Sequence, residues 1–118
     1  MEREFIMTRE FDRLWKELNC NDDDLKSLQE ELLVKPNVGD LIQGTGGIRK
    51  YRIPMEGRGK RGGARVCYLD IPKKKHLFLL MAYAKNEKSD LSKDECKLLK
   101  QLSTVLKRTA FQEEEMKT

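Results

Sequence analysis

Histidine occurs once in this chain of 118 residues, cysteine and proline three times each, and aromatic residues make up 7%. Each scarcity excludes something. Cys20, Cys67 and Cys96 are widely spaced, and no pair has the separation of metal ligands. An odd number of isolated cysteines reads as small apolar side chains in a reducing compartment rather than a disulfide framework. The one histidine, His76, follows Lys73-Lys74-Lys75 at a turn, so neither a zinc site nor a Ser-His-Asp triad assembles readily. No cofactor is implied. Few aromatics leave little material for the stacking platforms of single-strand binders. No apolar run approaches membrane-spanning length. The first residues, Met1-Glu-Arg-Glu-Phe-Ile-Met-Thr8, hold no apolar signal core, so the expected location is cytoplasmic, with no membrane partner.

What the chain has in quantity is charge, 37% of its residues. Gly44 to Lys88 contains twelve Lys/Arg against three Asp/Glu, a local net charge of +9. The whole chain is +4, so everything outside that stretch sums to −5. The positive charge is therefore concentrated. It lies beside a glycine-rich segment, Gly57-Arg-Gly-Lys-Arg-Gly-Gly63. Clustered cations on flexible backbone are the footprint of a phosphate-rich partner.

The length predicts one domain, residues 1–118, with a modest core. Glu2–Met7 reads as a short strand. Thr8 is placed to cap a helix over 9–18, where Phe11, Leu14, Trp15 and Leu18 recur at helical spacing. Asn21 begins a second helix, with Asp22, Asp23 and Asp24 in its first turn against the dipole. Leu25, Leu28, Leu32 and Leu33 form its stripe, and Lys35-Pro36 ends it. Ile48–Pro54, Ala64–Ile71 and His76–Ala84 read as three strands of an antiparallel meander. Ser92-Lys-Asp-Glu95 is a capping box for a last helix carrying Leu98, Leu99, Leu102, Val105 and Leu106. The acidic tail from about residue 110 is expected to fray. The order β-α-α-β-β-β-α is an α+β arrangement, with a helical hairpin and a C-terminal helix on a small, mainly antiparallel, twisted sheet.

Strand alternation puts Lys50 and Arg52 on one face and Arg49 and Tyr51 on the other. Arg65 shares a face with Cys67. The third strand is apolar on both sides and ends in Lys85-Asn86, a rigid place from which to present a charged group. Arg58, Lys60 and Arg61 in the glycine loop suit phosphate contacts, whereas Lys73-Lys74-Lys75 reads as a solvated turn. The loop is not a nucleoside-triphosphate P-loop, since the closing Gly-Lys-Ser/Thr and the following helix are missing. Nor is it a dinucleotide fingerprint, because Gly57-x-Gly59 leads into a strand.

Taken together, Gly44-Thr-Gly-Gly-Ile-Arg-Lys50, Gly57-Arg-Gly-Lys-Arg-Gly-Gly-Ala-Arg-Val66 and Ala82-Tyr-Ala-Lys-Asn-Glu-Lys-Ser-Asp-Leu91 resemble the HigB-like branch of the RelE/ParE toxin superfamily. Phe11-Asp-Arg-Leu-Trp15 and the helical hairpin agree, and the resemblance covers roughly residues 3–108. It implies a bacterial toxin of a type II toxin–antitoxin pair, a metal-independent, ribosome-dependent endoribonuclease that cuts mRNA and stops translation. It also implies a cognate antitoxin with a helix-turn-helix domain, and contact with operator DNA through that antitoxin alone. Carried over residue by residue, the basic residues on the strand after the hairpin match Lys50 and Arg52. The arginine of the next strand matches Arg65, and the basic residue after the last strand falls on Lys85-Asn86. Asn86 stands where some relatives have arginine. A tyrosine used by RelE itself has no counterpart in Ser89-Asp-Leu-Ser92, which leaves Tyr83 as a stand-in.

The expected catalytic set is therefore Arg65 on the scissile phosphate, Lys85 or Lys50 as base, and Asn86 and Tyr83 in support. Arg49, Arg52, Arg58, Lys60 and Arg61 are expected to hold RNA. Two rivals use the same sequence features: a ParE-like toxin that binds gyrase and cuts nothing, and a non-enzymatic RNA- or ribosome-binding regulator.

Overall fold

Local signals account for where the helices begin. In the computed structural model, which describes residues 2–55 and 62–117 and the side chains as far as Ala110, Thr8 caps helix α1, Arg9–Glu17, by accepting from the Phe11 amide. Helix α2, Asp22–Val34, opens with a reciprocal capping box between Asn21 and Asp24. Helix α3, Lys93–Lys117, opens with the box between Ser92 and Glu95. Side chains that satisfy the first amides of a helix fix its start in sequence. The backbone of α3 stays helical to Lys117, past the point where the acidic tail is expected to fray.

The strands are β1, Glu4–Met7, β2, Asp40–Leu41, β3, Arg49–Ile53, β4, Ala64–Ile71, and β5, His76–Ala84. They form one five-stranded sheet in the order β1-β5-β4-β3-β2. The expected meander is present as β3-β4-β5, antiparallel throughout. β1 joins it parallel to β5, with Phe5 opposite Leu77 and Met7 opposite Leu79. β2, too short to leave a pattern in the sequence, pairs with β3 at the other edge.

Each face of the sheet carries a core. On one side Phe11 and Trp15 of α1, Leu18 at its C-cap, and Leu28 and Leu32 of α2 pack on Val66, Tyr68, Leu77, Leu79 and Ala82. Phe11 and Trp15 stack with ring centres 5.2 Å apart. The Tyr68 hydroxyl, buried in this layer, donates to Pro36 O at 2.8 Å and accepts from Gly39 N at 2.9 Å. Gly39 approaches so closely that a Cβ there would lie 2.8 Å from both Lys50 O and the Tyr68 ring. On the other side Leu99, Leu102, Leu106 and Ala110 of α3 cover Leu69, Ile71, Phe78 and Leu80.

A bulge in β5 decides which residues face α3. Cys67 pairs with Met81 and Tyr68 with Leu79, so Leu80 is the extra residue. Beyond it the alternation of β5 reverses. Met81 and Tyr83 join Phe78 and Leu80 on the α3 side, while Ala82 and Ala84 turn to α1 and α2. A bulge of this kind re-aims side chains at the end of a strand. The Thr8 hydroxyl donates to Leu80 O at 2.8 Å, so the cap of α1 also ties down the bulge.

Candidate active site

The bulge and the register bring three strands' side chains into line on the α3-side face. Arg52, Arg65 and Tyr83 are successive cross-strand partners, and Lys50, Cys67 and Met81 form the next row. Two arginines directly opposite one another destabilise a sheet. Local costs of this kind are characteristic of functional positions. α3 covers the far half of this face, over Leu69, Ile71 and Phe78. Arg52 is exposed and Lys50 and Arg65 are half-buried.

The end of the row is closed by Gly62 and Gly63, both at positive φ. The Arg65 guanidinium donates to Gly62 O at 3.0 Å. Gly63 O accepts from the Lys85 amide at 3.0 Å. A Cβ on Gly63 would lie 2.3 Å from Ile53 O, and one on Gly62 would press on Lys85 Cγ at 3.1 Å. These two glycines thus set the spacing between Arg65 on β4 and Lys85 just beyond β5.

The connection from β5 to α3 folds back over this corner. Lys85 Nζ donates to Ser89 O. Lys50 Nζ lies 3.6 Å from Asp90 Oδ1. Lys88 is paired with Glu95 and sits 5.8 Å from the centre of the Tyr83 ring. Asp90 was not singled out from the sequence. Its only signal there is an acidic side chain closing a strongly basic stretch, just before the Ser92 cap.

The expected residues divide as follows. Arg65, Lys50, Arg52, Tyr83 and Lys85 come together, and Asn86 is exposed in the adjoining turn. Arg49 does not join them. It faces the α1–α2 side, opposite Tyr68, and its guanidinium donates to Gly39 O at 2.8 Å. The alternation of β3 separates it from Lys50 and Arg52, so it stands apart from the other expected RNA contacts on this sheet. Arg58, Lys60 and Arg61 lie outside the described residues. Gly44-Thr-Gly-Gly47 is not part of the cationic corner. Thr45 O accepts from Ser103 Oγ at 2.7 Å and Gly46 O from Lys107 Nζ, so this turn latches α3 to the sheet.

Burial sets the protonation of two groups here. The Tyr83 hydroxyl is pushed up to about 12, mainly by desolvation, then by nearby Cys67 and Asp90, against the pull of Arg65. Cys67 is also pushed up to about 12 by burial, against the pull of Lys50. Near neutral pH both keep their protons, so Tyr83 can donate a hydrogen bond but is no phenolate base, and Cys67 is no nucleophile. Asp90 is held below the usual carboxylate range, first by the Leu91 amide and then by Lys50. Among the described residues no group of three His, Cys, Asp or Glu side chains could hold a metal ion. No described helix is long and apolar enough to cross a membrane.

Residues 3–118 match the model of a family described as the RelE toxin of the RelE / RelB toxin-antitoxin system. The chain belongs to the RelE toxin family. Its function is that of the toxin in a toxin–antitoxin system. The HigB-like branch expected from the sequence is a related family, and the match found is to the RelE family. Solved structures of RelE share the fold. The free form of an E. coli RelE double arginine-to-alanine mutant is 18% identical, with a TM-score of 0.52 over 75% of this chain and 90% of that one. RelE in the intact E. coli RelBE toxin–antitoxin complex is 16% identical, with a TM-score of 0.52 over 70% of this chain and 95% of that one. The mutant bound to an antitoxin RelBc peptide is 18% identical, also with a TM-score of 0.52, over 79% of this chain and 98% of that one. The RelE-like α+β fold expected from the sequence is the fold found.

Proposed function

We propose that this RelE-family toxin is a cytoplasmic, ribosome-dependent endoribonuclease that cuts mRNA and stops translation. The observation that carries the reading is the row Arg52–Arg65–Tyr83, with Lys50 beside it and Lys85 at its rim. RNA brings its own nucleophile, the 2′-hydroxyl next to the scissile phosphate. An enzyme need only hold that hydroxyl in line, stabilise the charge that grows on the phosphate, and move two protons. A set of fixed cations supplies the first two without a metal. Arg65 is suited to the phosphate, because a guanidinium grips it in two places. Its bond to Gly62 O aims it along the sheet.

Lys85 and Lys50 are the candidates to take the proton from the 2′-hydroxyl and return one to the leaving oxygen. Tyr83, kept protonated by burial, serves as a hydrogen-bond donor. Arg52, with Arg58, Lys60 and Arg61, holds the message and ribosomal RNA, and Asn86 orients a base or phosphate. A cognate antitoxin neutralises the toxin by analogy with the RelBE complex. It carries a helix-turn-helix domain and mediates any contact with operator DNA.

The test is induction of the chain alone in growing bacteria, following labelled amino acid and thymidine incorporation together. Protein synthesis should stop first, and primer extension should show new 5′ ends in translated messages. Thymidine incorporation failing first would favour the gyrase-binding alternative. Translational arrest with intact messages would favour a non-enzymatic ribosome binder.

A further inference from the structure

Lys50 lies on β3 and Lys85 just beyond the end of β5, thirty-five positions apart in sequence and with β4 between the two strands. Two consecutive residues of the β5–α3 connection hold both. Ser89 offers its carbonyl to the Lys85 ammonium. Asp90 offers its carboxylate to the Lys50 ammonium at 3.6 Å. The carboxylate is not itself loose, since Asp90 Oδ1 accepts from the Leu91 amide at 2.9 Å, one residue before the Ser92 cap of α3. The connection is further pinned by the Lys88–Glu95 pair. Asp90 therefore belongs to the hydrogen-bonded entrance of α3 and faces Lys50. Its field acts on Lys85 as well as on Lys50.

A four-carbon ammonium side chain on an exposed strand samples many rotamers, and fixing it is costly. Catalysis by positioned cations needs them held to a fraction of an ångström. We propose that Asp90 is a positioning residue: together with Ser89 it forms a clasp that aims the Lys50 ammonium at the same phosphate as Lys85. As a contribution to RNA cleavage this rests on the endoribonuclease reading. The clasp itself is a property of the free protein. The carboxylate is 72% exposed and the pair is wide, so the contact contributes little to stability.

Asp90→Asn and Asp90→Glu should be compared with the unaltered chain in single-turnover cleavage of ribosome-bound mRNA. Asp90→Asn should lower the cleavage rate constant about 10- to 100-fold, the range expected for a misplaced reacting group. The ribosome concentration at half-saturation should stay the same, and Asp90→Glu should recover most of the rate. A second readout needs no RNA cleavage. The side-chain NMR signal of Lys50, assigned by its loss in Lys50→Arg, should move in Asp90→Asn of the free protein, with an unchanged thermal midpoint. Faster cutting with tighter ribosome binding in Asp90→Asn would make Asp90 a mere competitor for RNA and overturn the proposal. So would an unmoved Lys50 signal, or a lowered thermal midpoint without rescue by Asp90→Glu. If the unaltered chain cuts nothing, the endoribonuclease reading falls, and the Lys50 signal alone decides the clasp.

Discussion

The two faces of the sheet are built from the same strands and put to opposite uses. The α1–α2 face is sealed: Phe11, Leu28, Leu32, Val66, Tyr68, Leu77 and Leu79 are fully buried, and the buried Tyr68 hydroxyl has both partners. The α3 face is sealed over half its length and left open where Arg52, Arg65 and Lys50 stand. The difference teaches that a single helix crossing a twisted sheet covers one end and leaves the other. The uncovered end can carry like charges that no packed layer would tolerate. One face is given over to packing, and the other combines a packed core with the site.

The sharpest way to break this division is to attack the sealed face. Phe11→Ala removes a fully buried ring stacked on Trp15, and should cost about 3–5 kcal/mol in urea unfolding. A loss under about 1 kcal/mol would mean that the α1–α2 layer is not the main core. Next in size is the open face. Arg65→Ala should raise the barrier to cleavage by about 2–4 kcal/mol, as for one preorganised donor, a rate loss of roughly 30- to 1000-fold. Unfolding should change by no more than about 0.5 kcal/mol, the usual range for a surface substitution. A fully toxic, soluble Arg65→Ala protein would reduce Arg65 to a solubilising surface charge.

The smallest effect concerns pH. Tyr83 and Cys67 are acids whose folded values, both about 12, lie above their ordinary 10 and 9. The unfolded chain sheds these protons first. Their contribution to stability is therefore complete below about pH 9 and is lost as pH rises toward 12. Urea midpoints measured from pH 8 to 11 should fall, and Tyr83→Phe should fall less steeply above pH 10. Parallel curves would show that Tyr83 is not desolvated by α3.

Much of the architecture was legible because it is written over short distances. The caps at Thr8, Asn21 and Ser92, the helical stripes and the meander each depend on residues within a few positions of one another. The sidedness of Lys50 and Arg52 followed from alternation within one strand, and the same alternation set Arg49 apart from them. β5 was different. Leu77 to Ala84 is apolar throughout, so no pattern in it revealed a bulge at Leu80 or told which way Tyr83 points. The glycine-rich turn at Gly44 to Gly47 gave no sign that it latches α3, because its partners Ser103 and Lys107 lie about sixty positions away.

By itself the sequence determined the helices, the three-stranded meander, the concentration of positive charge and the family resemblance, all of which rest on local pattern or on motifs. Only the tertiary structure decided that β1 runs parallel to β5, that the bulge brings Tyr83 into line with Arg65 and Arg52, and that Asp90 faces Lys50. These depend on strand register and on how a connection folds back. Those are set by packing and hydrogen bonds between residues tens of positions apart, whose partners no local periodicity names.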